Sequence, residues 1–217
     1  VIATADGKDH SRHRSILSPA FTHHALAKFE SYIREIAEED LDILLRDRGG
    51  SCIPFIEKIP ALAIAKLLGL PCNESDQFIR WAMIGGSMLA GEVSVRQLEY
   101  LARETEVMKS YLSMHFDKSY RLDWTLSEPL LTLLHREYDE GTITRDEAIG
   151  ISVILFGAGG ESTSALMGSC IFHLARSPEI QEELRSNFQL IDNFIEEVIR
   201  LSPPFKFHYR SVRSSCA

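Results

Sequence analysis

The sequence predicts a mainly α fold, with a short β edge at the C-terminus, and three observations carry that expectation. Apolar residues recur at three- and four-residue spacing through most of the 217 positions. Capping signals, glycines and prolines punctuate those stretches at helix-length intervals. Only Phe205 to Val212, where Phe207 and Tyr209 alternate with Lys206 and His208, reads as a strand. Composition agrees, since 45% apolar and 25% charged residues describe an ordinary globular chain rather than a disordered or fibrous one. Residues 1–217 are read as a single domain.

The elements follow in order. From Phe29 to Leu45 the apolar positions Phe29, Ile33, Ile36, Leu41 and Leu44 line one helical face, and Gly49-Gly50 stops the helix. Phe55 to Leu70 is shorter and more apolar and ends at Gly69 and Pro71. Glu92 to Phe116 is charged and amphipathic, as a surface helix is. Pro129 to Tyr138 repeats the pattern and ends at Gly141. Thr144-Arg145-Asp146-Glu147 is a capping box that opens a helix running to about Arg176. At ~1.5 Å per residue it crosses roughly 50 Å. Ser177-Pro178 caps the next helix, which ends near Arg185. Ile191 to Leu201 forms the last, before Ser202-Pro203-Pro204 forces extended chain.

Charge and cysteine usage narrow the function. With 23 basic and 31 acidic residues the formal charge is -8, which repels nucleic-acid phosphates and anionic lipid, so small or neutral partners are expected. Cys52, Cys72, Cys170 and Cys216 form no C-x-x-C pair and have no histidines at zinc-finger spacing, which points to a reducing, cytoplasmic setting. His10 with His13, and His23 with His24, lack a nearby third ligand and are expected at the surface rather than on a metal. The longest uncharged run, Ala148 to Gly160, is shorter than the ~18 residues of a spanning helix, so a buried helix is expected and no membrane anchor. No basic segment followed by an apolar one marks a secretory signal.

The long helix holds an anomaly. Gly157, Gly159 and Gly160 lie in its middle, where each glycine costs ~1 kcal/mol relative to alanine. Close approach of a flat, bulky ligand, a local widening of the helix, or a tight helix crossing would each require the missing side chains. Glu161-Ser162-Thr163 follows at once, and a carboxylate beside hydroxyls suits proton relay. Elsewhere, Glu197 and Arg200 stand one helical turn apart, as a surface ion pair would. His10 and Arg14 are spaced i and i+4, so both point the same way, either to capture a carboxylate or to form a solvated basic face.

Taken in order, these pieces resemble the cytochrome P450 family of haem-thiolate monooxygenases. Asp6 to Arg14, followed by Ser18-Pro19-Ala20-Phe21, is similar to the family's haem-propionate helix with its His-x-x-x-Arg. Ala158-Gly159-Gly160-Glu161-Ser162-Thr163 resembles the distal-helix Ala-Gly-x-Glu-Thr-Thr signature. Glu197-Val198-Ile199-Arg200 matches Glu-x-x-Arg, and Arg210 falls where a further propionate-binding arginine is expected.

The resemblance implies a haem against the long helix, with Ala158 and Gly159 over the porphyrin. It implies that Glu161, Ser162 and Thr163 serve catalysis by handling protons for dioxygen. His10, Arg14 and Arg210 would neutralise the propionates, while Glu197 and Arg200 would be structural, as a buried pair on the proximal side. The implied reaction inserts one oxygen atom from O2 into a small apolar substrate, with electrons from a ferredoxin and its reductase. Ser162 stands where the family usually has Thr, keeping the hydroxyl but losing the methyl that limits its rotation. The family's axial cysteine lies in a glycine-rich loop expected beyond Ala217, so no metal ligand is assigned within this sequence. Cys216 lacks the surroundings of that ligand, and Cys170 reads as a packing residue. The chain is thus read as the middle of a monooxygenase, truncated and inactive alone. The alternative is a haem-free, non-catalytic helical module that binds a ligand or another protein.

Overall fold

Several helix boundaries in the computed structural model, which describes residues 1–46, 49–85, 93–119 and 128–207, follow capping chemistry. The helices are α1 (Gly7–Leu17), α2 (His23–Ala27), α3 (Glu30–Arg46), α4 (Ile53–Leu68) and α5 (Ser75–Met83), then α6 (Val95–Phe116), α7 (Leu130–Asp139), α8 (Arg145–Arg176), α9 (Pro178–Ser186) and α10 (Ile191–Leu201). Gly69 ends α4 at φ +83° and Gly141 follows α7 at φ +74°, a left-handed conformation that glycine adopts without cost from a Cβ. Ser94 and Gln97 form a reciprocal capping box at the start of α6: the Gln97 N–H donates to Ser94 Oγ over 3.3 Å, and the Ser94 N–H donates to Gln97 Oε1 over 2.8 Å. The expected start near Glu92 overlooked that Ser-x-x-Gln signal, and Glu92 itself lies outside the described residues.

Three expectations change. Ser177 makes no side-chain cap for α9; the Gln181 side chain instead donates to the Leu174 carbonyl over 2.6 Å and ties α9 to the end of α8. Helix α5, not anticipated from the sequence, buries Phe78, Trp81 and Ala82 over only nine residues, too few to establish a period. The expected strand is irregular backbone over 205–207, where it is described, and 208–212 lie outside the described residues. Pro203 and Pro204 carry no backbone N–H donors, and no described segment pairs with this stretch.

The chain divides into two compact units, Val1–Glu161 and Ser162–Ala217. In the first, α4 packs against α3, α5 and α7. Ala61, Leu62, Ala65 and Leu68 of α4 are almost fully buried. Phe78 and Trp81 of α5 meet Tyr111 of α6 and Phe156 of α8, with ring centroids 5.2–6.0 Å apart. Each such aromatic withdraws enough apolar surface to contribute ~1.5–3 kcal/mol. Asp40 of α3 and Lys58 of α4 close a partly buried ion pair at 2.7 Å. In the second unit, His173 Nε2 and Ser202 Oγ lie 3.0 Å apart and link the end of α8 to the end of α10, whose buried residue is Val198.

Helix α8 is long and apolar enough to cross a membrane by length and composition alone. One third of its most apolar 18-residue window, 33%, is buried, and Ala148, Ile149, Ile151 and Phe156 lie in the core of the first unit.

Candidate functional site

Helix α1 has two kinds of side chain. Ile16 and Leu17 are buried and fix it to the core, and so is His13, only 1% exposed. His13 is therefore not the surface residue its spacing from His10 suggested. Its Nε2 lies 3.0 Å from Glu147 Oε1 at the start of α8. The carboxylate only accepts, so Nε2 carries the proton, and the buried Nδ1 has no partner. Arg12 donates to the same carboxylate over 2.6 and 3.3 Å and to the Thr142 carbonyl over 2.7 Å. Hydrogen bonding from Arg12, then from the Thr144 N–H and His13, holds the Glu147 carboxyl well below the usual carboxylate range, against a smaller opposing effect of burial.

His10 and Arg14, one turn apart, are exposed, and neither side chain has a partner among the described residues. One imidazole and one guanidinium, both uncommitted and on the same stretch of helix, suit a carboxylate-bearing ligand. Arg210, the third expected donor, lies outside the described residues.

On α8 the expected glycine anomaly resolves into contacts. The helix stays α-helical through Gly157–Gly160, so the widened form is not adopted. A Cβ on Gly160 would stand 2.7 Å from the Ala82 Cα and carbonyl oxygen, and one on Gly157 would stand 3.0 Å from the Gly85 Cα. A Cβ on Gly159 would meet Ile64 Cδ1 at 2.5 Å. Tight approach of α5 at Gly160, of α4 at Gly159 and of Gly85, just beyond α5, at Gly157 thus accounts for all three glycines. The position of Gly159's absent side chain faces α4. Ala158, between them, is exposed and presents only a methyl group. Glu161 and Ser162 are half-buried and Thr163 is exposed. The division between the two units falls between Glu161 and Ser162, within the continuous helix.

Arg200 grips Glu197 through both carboxylate oxygens, at 2.8 and 2.6 Å. Hydrogen bonding from Arg200 lowers the Glu197 carboxyl's proton affinity. The pair is nevertheless exposed, 67% for Arg200 and 54% for Glu197, so the burial implied by the resemblance is not provided by the described residues. Trp81, expected near a substrate pocket, is 1% exposed and belongs to the aromatic core; of the segment expected to line that pocket with it, residues 86–91 are outside the described residues. Half-buried Cys170 has its thiol pushed up by burial, as suits a packing residue. No group of three or more metal-ligating side chains is gathered among the described residues.

The site reading missed Arg12, His13 and Glu147. Glu147 was legible only as a cap, because its partners on α1 lie more than 130 positions away in the sequence.

With the geometry of α1 and α8 described, comparison with known proteins gives the class. The cytochrome P450 family model matches residues 88–216, and the chain belongs to that family, whose cofactor is haem. The chain is similar to cytochrome P450 144 of Mycobacterium tuberculosis, at 33% identity over 99% of this chain and 49% of that protein. It is also similar to cytochrome P450(BM-1) of Priestia megaterium, at 27% identity over 95% of this chain and 50% of that protein. Among solved structures it resembles CYP109E1 from Bacillus megaterium in complex with testosterone, with TM-score 0.74, 26% identity, and 90% and 51% of the two chains covered. P450BioI in complex with an acyl carrier protein ligated to hexadec-9Z-enoic acid shares the fold at TM-score 0.80 and 24% identity, over 92% and 51% of the two chains. The chain spans about half the length of the curated relatives it matches.

Proposed function

We propose that this chain is the propionate-binding and distal-helix portion of a haem-dependent monooxygenase, an oxidoreductase that inserts one oxygen atom from O2 into a small apolar substrate. The observation that carries this reading is the exposed, uncommitted pair His10 and Arg14 on a helix whose other side is fastened to the start of α8. The donor chemistry fits the cofactor: an arginine and a histidine suit two propionates, and the exposed methyl of Ala158 suits a flat apolar ring. Haem, when bound, supplies the activation of dioxygen.

This chain's own residues supply the surroundings. His10, Arg14 and Arg210 neutralise the propionates. Ala158 leaves room for the ring, and Gly159 keeps the α8 backbone close to α4 beside it. Glu161, Ser162 and Thr163 hold and move protons on the distal side. Glu197 and Arg200 brace the proximal side once further chain covers them. The whole of 1–217 acts as part of one P450 domain, in the cytoplasm, with electrons from a ferredoxin and its reductase; neither nucleic acid nor membrane is a partner. Testosterone and hexadec-9Z-enoic acid, the molecules in the two related structures, are both largely apolar, which supports an apolar substrate here.

The test is to extend the chain through the coding sequence beyond Ala217 and record the carbonyl difference spectrum of the reduced protein. The expected result is a Phe-x-x-Gly-x-x-x-Cys-x-Gly loop and the band of thiolate-ligated haem. A complete reading frame without such a cysteine would refute the monooxygenase reading and leave a haem-free helical module.

A further inference from the structure

We propose that Glu147 is a positioning residue for cofactor binding: by gripping Arg12 and His13 it sets the rotation and height of α1, and so aims His10 and Arg14 at the propionates. The inference rests on the reading of His10 and Arg14 as propionate donors.

Glu147 is itself held at the first turn of α8. Its Oε2 accepts the Thr144 N–H over 2.8 Å and the Thr144 hydroxyl over 3.1 Å, so the carboxylate cannot swing with α1. Oε1 then takes Arg12 Nη2 at 2.6 Å and His13 Nε2 at 3.0 Å, while Arg12 Nη1 reaches the Thr142 carbonyl at 2.7 Å. Two successive residues of α1 are thus tied to one rigid corner. Residues 12 and 13 point ~100° apart around a helix, so a double tie fixes rotation as well as distance. His10 and Arg14 bracket this tie in sequence and have no partners among the described residues, so nothing but α1 itself directs them. The arrangement has a cost, because His13 Nδ1 is buried without a partner. A helix fastened only for stability would be served as well by an apolar residue at this position.

A purely structural fastening and a positioning role differ in what they do to ligand discrimination. Haemin and its dimethyl ester share the ring and differ in whether the propionates are charged. Absorbance titration of the chain with each ligand gives a preference ratio, and urea unfolding of the same samples monitors the fold. The parent is expected to favour haemin. Arg14→Gln removes a donor and Glu147→Gln removes the corner; each is expected to lower the ratio about tenfold, the scale on which partners that orient a ligand-binding side chain act. Glu147→Asp keeps the charge but is too short to span Thr144 and α1 together, and is expected to give an intermediate ratio. Arg12→Lys, which keeps the charge and loses the fork, serves if Glu147→Gln does not fold, and is expected to lower the ratio too.

If Glu147→Gln, or Arg12→Lys in its place, weakens both ligands equally or leaves the ratio intact while Arg14→Gln lowers it, the proposal is overturned and the propionate reading stands. If the parent shows no preference for haemin, the propionate reading is overturned and the proposal falls with it.

Discussion

Replacing Gly160 by Ala separates the two explanations of the glycine-rich centre of α8. Helix propensity alone favours the substitution by ~1 kcal/mol, so a glycine retained only for the cofactor would give a more stable cofactor-free chain when replaced. The geometry predicts the reverse. The new methyl would lie 2.7 Å from the Cα and carbonyl oxygen of Ala82, which are backbone atoms and cannot turn away. Helix α5 would have to shift, and overpacking of this kind costs ~1–3 kcal/mol, with rigid backbone contacts toward the upper end. The net expectation is a loss of about 1–2 kcal/mol. Gly159→Ala is the internal control. Its methyl meets only Ile64 Cδ1 and Cγ1, at 2.5 and 2.7 Å, and a side chain can rotate at ~0.5–1.5 kcal/mol, so the gain in propensity roughly offsets it. Urea unfolding followed by far-ultraviolet circular dichroism measures both variants on the cofactor-free chain. Stabilisation of Gly160→Ala by the full propensity value would refute the tight crossing with α5.

Three further outcomes are expected. Because Glu147 has its proton affinity lowered on folding, its contribution to stability is complete above the ordinary glutamate range and is lost as pH falls below it toward the folded value. The urea midpoint of the parent should therefore fall between pH 5 and pH 3 more steeply than that of Glu147→Gln, and parallel slopes would disprove the tie to Arg12. Glu197→Gln and Arg200→Gln should leave the urea midpoint of this chain unmoved, since both side chains are exposed; a clear drop would show that the described chain already buries the pair. In the extended, haem-loaded enzyme, Ser162→Ala should lower product formed per reductant consumed, and Ser162→Thr should preserve or raise it because a β-branched side chain holds its hydroxyl in fewer rotamers. Unchanged coupling in the Ala form would assign the proton to Thr163, Glu161 or water.

Local chemistry made most helices legible. Thr144 and Glu147 mark the start of α8, and Gly69 and Gly141 the ends of α4 and α7, because caps and left-handed turns depend on residues within four positions of one another. That His10 and Arg14 share one side of α1 was likewise legible, since i and i+4 spacing alone puts them there. What the glycines touch is a different kind of fact. Gly160 reads the same beside a haem or beside Ala82, and only the crossing of α8 with α5 decides between them. The burial of His13 and the second role of Glu147 also depend on bringing together segments more than 130 residues apart. Sequence spacing fixes directions around one helix, but the partner met in that direction is set by how helices pack.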